Sequence, residues 1–141
     1  MKIRIGFVSN SSSTSFVVIG RSGTLEMPSG DNERICVTGS YQFGRSGYTR
    51  HTKGRIAFAW MQAQYQKRDD WITMIKEVVK KVTGLELACL VDPFADHCVS
   101  SYSYIDHQSI GESNEIFSSI DELKAFLFDK DSCIKMGDDN E

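Results

Sequence analysis

The segment from Asp69 to Pro93 constrains the fold more than any other. Ile72, Ile75, Val79 and Val82 recur at helical spacing, so they share one face, and the intervening positions are polar. Asp69 or Asp70 is placed to accept hydrogen bonds from the free amides of the first turn, and Lys80 and Lys81 suit the negative end of the helix dipole. Gly84 can take the left-handed conformation that closes such a helix. Directly after it, Leu85 to Val91 is a nearly continuous apolar run stopped by Asp92-Pro93, the pattern of a central strand. A helix joined so tightly to a strand requires a fold that mixes the two.

The rest of the chain adds strands and helices around this pair. Lys2 to Val8 alternates charged and apolar residues and reads as a half-buried strand. The serine-rich stretch 9–15 then favours a loop, because short hydroxyl and amide side chains compete for backbone hydrogen bonds. Phe16 to Ile19 predicts a second strand, Gly20 to Asn32 a turn-rich excursion, and Ile35 to Thr38 a third strand that can extend through Tyr41 and Phe43. A basic, glycine-containing loop is expected over 44–55. A helix follows over Ile56 to Gln66, with Ile56, Ala59, Trp60 and Ala63 on one face. Cys98 to Ile105 alternates without a purely apolar face and reads as an edge strand. Ser119 with Glu122 forms a capping box ahead of a short helix that buries Leu123, Phe126 and Leu127. The acidic tail 137–141 should fray. The expected fold is α/β of the α+β type: a mixed, antiparallel-rich sheet of four or five strands with about three helices, two of them between the third and fourth strands.

With 141 residues, 40% of them hydrophobic, the chain suits a single domain over 1–141. Its longest apolar runs fall far short of the roughly 20 residues that cross a bilayer. The opening residues lack the apolar core of a secretory signal, so a cytoplasmic location is expected, with no membrane partner. Cys36, Cys89, Cys98 and Cys133 are far apart and form no Cys-x-x-Cys; in this setting they read as reduced thiols, and three lie in or beside apolar runs.

Charge is divided along the chain. Residues 1–70 hold ten Lys or Arg against five Asp or Glu, and residues 71–141 hold six against fourteen. The basic half includes Arg45, Tyr48, Arg50, His51, Lys53 and Arg55, a cluster with permissive backbone, hydroxyl neighbours and fixed positive charge, and hence a candidate anion site. The bland alternative is that it faces the acidic half of the same domain or of a second copy. The serine-rich loop lacks the Gly-x-x-x-x-Gly-Lys-Ser/Thr pattern of a phosphate cradle. A second constellation is Asp92, Asp96-His97 and Asp106-His107, residue types that ligate divalent metals. Were it catalytic, His97 or His107 would serve as base, with a carboxylate such as Asp106 fixing its tautomer. The spacing matches no established metal motif, and an Asp-His pair also serves simply to orient a core imidazole. No Gly-x-Ser-x-Gly elbow is present, no cofactor is implied, and overall acidity argues against a duplex nucleic acid partner.

The opening Met1-Lys2-Ile3-Arg4-Ile5-Gly6-Phe7-Val8-Ser9-Asn10-Ser11-Ser12-Ser13-Thr14-Ser15-Phe16, the internal Tyr104-Ile105-Asp106-His107-Gln108-Ser109 and the ending from Phe126-Leu127-Phe128 to Asp138-Asp139-Asn140 resemble a group of small uncharacterised proteins of bacteria and their phages. Thr14 replaces one serine of the usual run and keeps the hydroxyl pattern. The resemblance implies a phage or prophage product acting in the host cytoplasm, and no reaction comes with it. The expected function is a non-enzymatic interaction protein acting on a host factor, with self-association through the opposed charges as a possibility. The alternative is sequestration, or metal-assisted hydrolysis, of a nucleotide-like, phosphate-bearing small molecule.

Overall fold

The computed structural model describes residues 2–3, 13–28, 33–38, 41–43, 47–91, 104–105 and 113–138. In chain order the elements are β1 (Lys2–Ile3), β2 (Ser13–Ile19), β3 (Arg34–Val37), β4 (Gln42–Phe43), β5 (Gly47–Thr49), α1 (Thr52–Tyr65), α2 (Asp69–Thr83), β6 (Glu86–Cys89), β7 (Tyr104–Ile105), a 3-10 turn (Asn114–Phe117), α3 (Ile120–Phe128) and β8 (Cys133–Asp138). The fold is α+β. Among the described residues three α-helices accompany an antiparallel sheet and separate parallel pairs rather than one mixed sheet.

The antiparallel sheet runs β1-β2-β8-β5. Val17 lies opposite Ile134 and Val18 opposite Cys133, while Thr49 faces Ile134 from the other side. Strand β8 is therefore interior to this sheet, although the end of the chain had been expected to fray. Gly137 and Asp138 are in register with Thr14 and Ser13, which also brings Ser13 to Ser15 out of the expected serine loop and into β2. Backbone pairing decides both cases. A strand needs neighbours for its amides and carbonyls, and two polar segments aligned in register supply them to each other.

Strands β3 and β6 pair in parallel, with Ile35 opposite Leu87, and β4 pairs with β7 in the same sense. Strand β6 is shorter than the apolar run that predicted it. It has β3 as its partner among the described residues and is half-buried, so it is not a fully covered central strand. Tyr41 lies outside any strand, and Phe43 belongs to β4, separate from β3. Of the edge strand expected over 98–105, Tyr104 and Ile105 form β7 and the rest lies outside the described residues.

Helix α1 begins at Thr52, four residues ahead of its expected start, and β5 occupies Gly47–Thr49, so the basic segment 44–55 is only partly a loop. The extension follows from burial. Residues 54–63 are buried without interruption, including Gly54, Arg55 and Gln62, so α1 is a central helix covered on all sides, in contact with α2, α3 and β3. Phe58 links the layers: its ring meets Phe43 edge-on at 5.2 Å and Phe126 at 6.1 Å. Helix α2 shows the one-sided pattern read from sequence. Ile75, Val78, Val79 and Trp71 are buried, and Trp71 stacks on Phe117 at 4.2 Å. Its N-cap is Arg68, however, and no side chain caps it. Asp70 instead accepts from Arg68 Nε and Nη2 at 2.9 and 2.7 Å, which holds its carboxyl below its ordinary value. Gly84 closes α2 at φ 75°. In α3 the capping box is present, with Glu122 N donating to Ser119 Oγ at 3.0 Å.

Candidate functional site

The start of α1 opens onto a cleft of about 630 Å³. Thr49 at the end of β5 and residues 51–54 form one wall. Glu26, Met27 and Pro28, from the strap that leaves β2, form the other, and Tyr41 completes it. The first amides of any helix lack carbonyl partners one turn back, and the summed peptide dipoles add partial positive charge there. In α1 no side chain caps this end and no acidic residue stands in the first turn. Lys53 is half-buried beside it, His51 is the exposed N-cap residue, and Arg50 is exposed just before it. Among the described residues neither Arg50 nor Lys53 has a carboxylate within salt-bridge reach.

Arg55 has the opposite fate from its basic neighbours. Its side chain is 0% exposed and turned inward, where Nη1 donates to the carbonyls of Phe126 at 3.2 Å and Asp129 at 2.6 Å. A guanidinium at the C-terminal end of α3 satisfies carbonyls that have no helical partner and meets the negative end of that dipole. Nη2 reaches Thr52 Oγ1 at 3.3 Å and Glu26 Oε1 at 3.5 Å, and among the described residues Nε has no hydrogen-bond partner. Burial pulls the Arg55 pKa down, opposed by Glu26 and Asp129, with Arg50 adding to the depression. Arg55 is therefore a joint between α1 and α3 rather than an exposed anion contact, a correction to the sequence expectation.

The strap is fastened to α3 by its backbone. Glu26 N donates to Phe128 O at 2.7 Å, Lys130 N to Thr24 O at 3.0 Å, and Leu25 bridges Asp129. The Asp129 carboxylate accepts from Ser22 Oγ at 2.8 Å, Gly23 N at 3.0 Å and Asp131 N at 2.9 Å. Burial alone would raise the Asp129 pKa, and these donors bring it below its ordinary value. Thr52 Oγ1 donates to Glu26 O at 3.2 Å, tying the strap to α1 as well.

The structure thus brings His51 and Lys53 to the cleft, leaves Arg50 beside it and withdraws Arg55 behind its wall. Tyr48 lies on β5 opposite Lys135, and Arg45 is outside the described residues. Asp92, Asp96, His97, Asp106 and His107 also lie outside them, as does Cys98. Among the described residues no group of three or more His, Cys, Asp or Glu is placed to hold a metal. Burial pushes the Cys89 thiol up to about 11 and raises that of Cys133, so both favour the neutral thiol. The strap residues Glu26, Met27 and Pro28 were missed by sequence reasoning, since a turn-rich excursion gives no signal of where it docks. Thr52 and Gly54 lay inside the basic segment without being singled out.

No helix among the described residues is long and apolar enough to cross a membrane. Compared with protein-family models, curated proteins and solved structures, the chain matches none of them.

Proposed function

We propose that this protein is a non-enzymatic binding protein that captures a small molecule through an anionic group, of the phosphate kind carried by nucleotides, in the cleft at the start of α1. The observation that carries this reading is the uncapped N-terminus of α1 opening onto that cleft with Lys53 and His51 beside it. A backbone that donates and a fixed cation suit an anion, and the cleft volume lies within the range of small-molecule sites, roughly 300–1,000 Å³. Tyr41, Met27 and Pro28 supply the apolar part of the wall. The absence of a complete catalytic motif in the sequence favours capture over turnover. The resemblance of the opening and internal segments to phage proteins would put such a ligand in a host cell.

A host polypeptide as partner has the division of charge behind it, since opposed patches steer association. The described surface offers it little apolar area: Met27 and Leu90 are the large hydrophobic side chains exposed there. The small-molecule reading is therefore the one favoured.

Calorimetric titration with inorganic phosphate and with ADP tests it. Lys53→Ala is expected to weaken both by about tenfold with the fold intact, and Arg50→Ala to weaken them less and in a way that added salt erases. Absence of binding by the unmodified protein, or equal and salt-erased losses in the two variants, overturns the proposal.

A further inference from the structure

The pairing of Glu26 with Arg55 is incomplete in a specific way. A guanidinium presents Nε–H and one Nη2–H along the same edge, and a carboxylate seated side-on takes both. Here Glu26 touches only Nη2, at 3.5 Å, longer than a charge-assisted hydrogen bond of about 2.7–2.9 Å. Among the described residues Nε stays without a partner although Arg55 is fully buried. Orphaned buried donors are rare because nothing replaces the water they lose. The Glu26 carboxylate is meanwhile 52% exposed and lines the cleft. Its backbone is tied on both sides: the amide donates to Phe128 O and the carbonyl accepts from Thr52 Oγ1.

We infer that Glu26 is a two-position gate on the cleft, its carboxylate alternating between the present half-exposed seat and a side-on seat across Nε and Nη2 of Arg55. The two seats oppose different costs. The present one keeps the carboxylate hydrated and leaves Nε unsatisfied, whereas the second satisfies Nε and gives up hydration. In the present seat a negative charge stands in the cleft and repels an anion. In the second seat that charge is withdrawn and neutralised, and the start of α1 with Lys53 is left to the ligand. An anion entering the cleft favours the second seat by repulsion, so its binding and the docking of Glu26 are coupled. The gate rests on the anion-binding reading above and adds the residue that sets its affinity.

The test is a titration of the full chain with inorganic phosphate, followed by calorimetry and by the NMR signal of Arg55 Nε–H. Phosphate is expected to move that signal to a hydrogen-bonded position and slow its exchange with water by about tenfold or more. Glu26→Gln is expected to bind phosphate about three- to tenfold more tightly than the unmodified protein, since one like charge has gone from the cleft. Phosphate binding by Glu26→Gln alone overturns the gate, since the carboxylate of the unmodified protein would then keep a single seat and never clear the cleft. If phosphate binds and the Nε–H signal stays in place, or if Glu26→Gln binds more weakly, the gate is overturned while the anion site stands. Binding by neither form removes both.

Discussion

Helices α1 and α2 are adjacent in sequence and of nearly equal length, yet they are built on opposite plans. Helix α2 buries one face through Trp71, Ile75, Val78 and Val79 and gives the other to Thr73, Lys76, Glu77 and Lys80. Helix α1 is buried from Gly54 to Ala63 on every side, with an arginine and a glutamine inside. A helix enclosed in this way contributes function only at its ends. In α1 the N-terminal end borders the cleft through Thr52, Lys53 and Gly54, while Gln64 and Tyr65 end it half-buried on the other side. Basic residues near the N-terminal end serve different purposes according to the direction they take around the helix: Lys53 borders the cleft, and two residues later Arg55 joins α1 to α3.

The largest expected effect that would break this contrast is at Arg55. Arg55→Met keeps much of the volume but removes the guanidinium donor from the Phe126 carbonyl and the Thr52 hydroxyl, and leaves the Asp129 carbonyl with Ser132 N. A loss of about 3 kcal/mol in urea unfolding is expected, since hydrogen bonds to charged groups contribute roughly 1.5–3 kcal/mol each and replacement by an apolar chain leaves the acceptors buried. Arg55→Ala should cost about 1–2 kcal/mol more, through the cavity it opens. Arg68→Met, at the exposed start of α2, is expected to leave the unfolding midpoint unchanged. Equal midpoints for Arg55→Met and Arg68→Met would refute the division into an enclosed and a surface helix.

A sharper version concerns Gly54. Glycine within a helix ordinarily costs about 1 kcal/mol relative to alanine, so Gly54→Ala should stabilise an open helix. A Cβ at this position instead runs into the Cγ2 methyl of Thr49 on β5, so the close approach of strand and helix requires glycine. A net loss of about 1–2 kcal/mol is expected for Gly54→Ala. Thr49→Ser removes the obstructing methyl, and the double variant should recover that loss. Failure of the double variant to recover would show that the cost lies elsewhere than in the contact between α1 and β5.

The same contrast explains which parts of the fold could be read beforehand. Helix α2 was legible because one face meets water, which writes a period into the sequence, and because Gly84 marks its end. The capping box of α3 was legible for a similar local reason. Helix α1 was recognised with its start displaced, since burial on all sides erases the period that would have extended it to Thr52. Strand β8 was missed because Gly137 and Asp138 resemble a solvated tail, and only their pairing with Thr14 and Ser13, far away in the chain, makes them a strand. The candidate site was half legible. Basic residues marked the right end of α1, but sequence spacing does not reveal that Arg55 points inward, and nothing local announces that Glu26 docks opposite Lys53.

The smallest expected effect is at the far end of α2 and tests whether that helix is as locally determined as its sequence suggests. Gly84 has a φ of 75°, its amide donates to Lys80 O at 2.8 Å, and a Cβ there would meet no atom within 4 Å. The cost of Gly84→Ala is therefore conformational, about 1 kcal/mol, the order expected for placing an L-residue in the left-handed region. Asparagine tolerates that region better, so Gly84→Asn should lose less, and both should leave phosphate binding at the start of α1 unchanged. Urea unfolding ranks the two variants, and calorimetry reads the site. A loss well above that of Gly54→Ala would mean that the turn into β6 is held by packing absent from its surroundings here. The two helices would then not differ in the way proposed, because the end of α2 would depend on tertiary contact as much as α1 does.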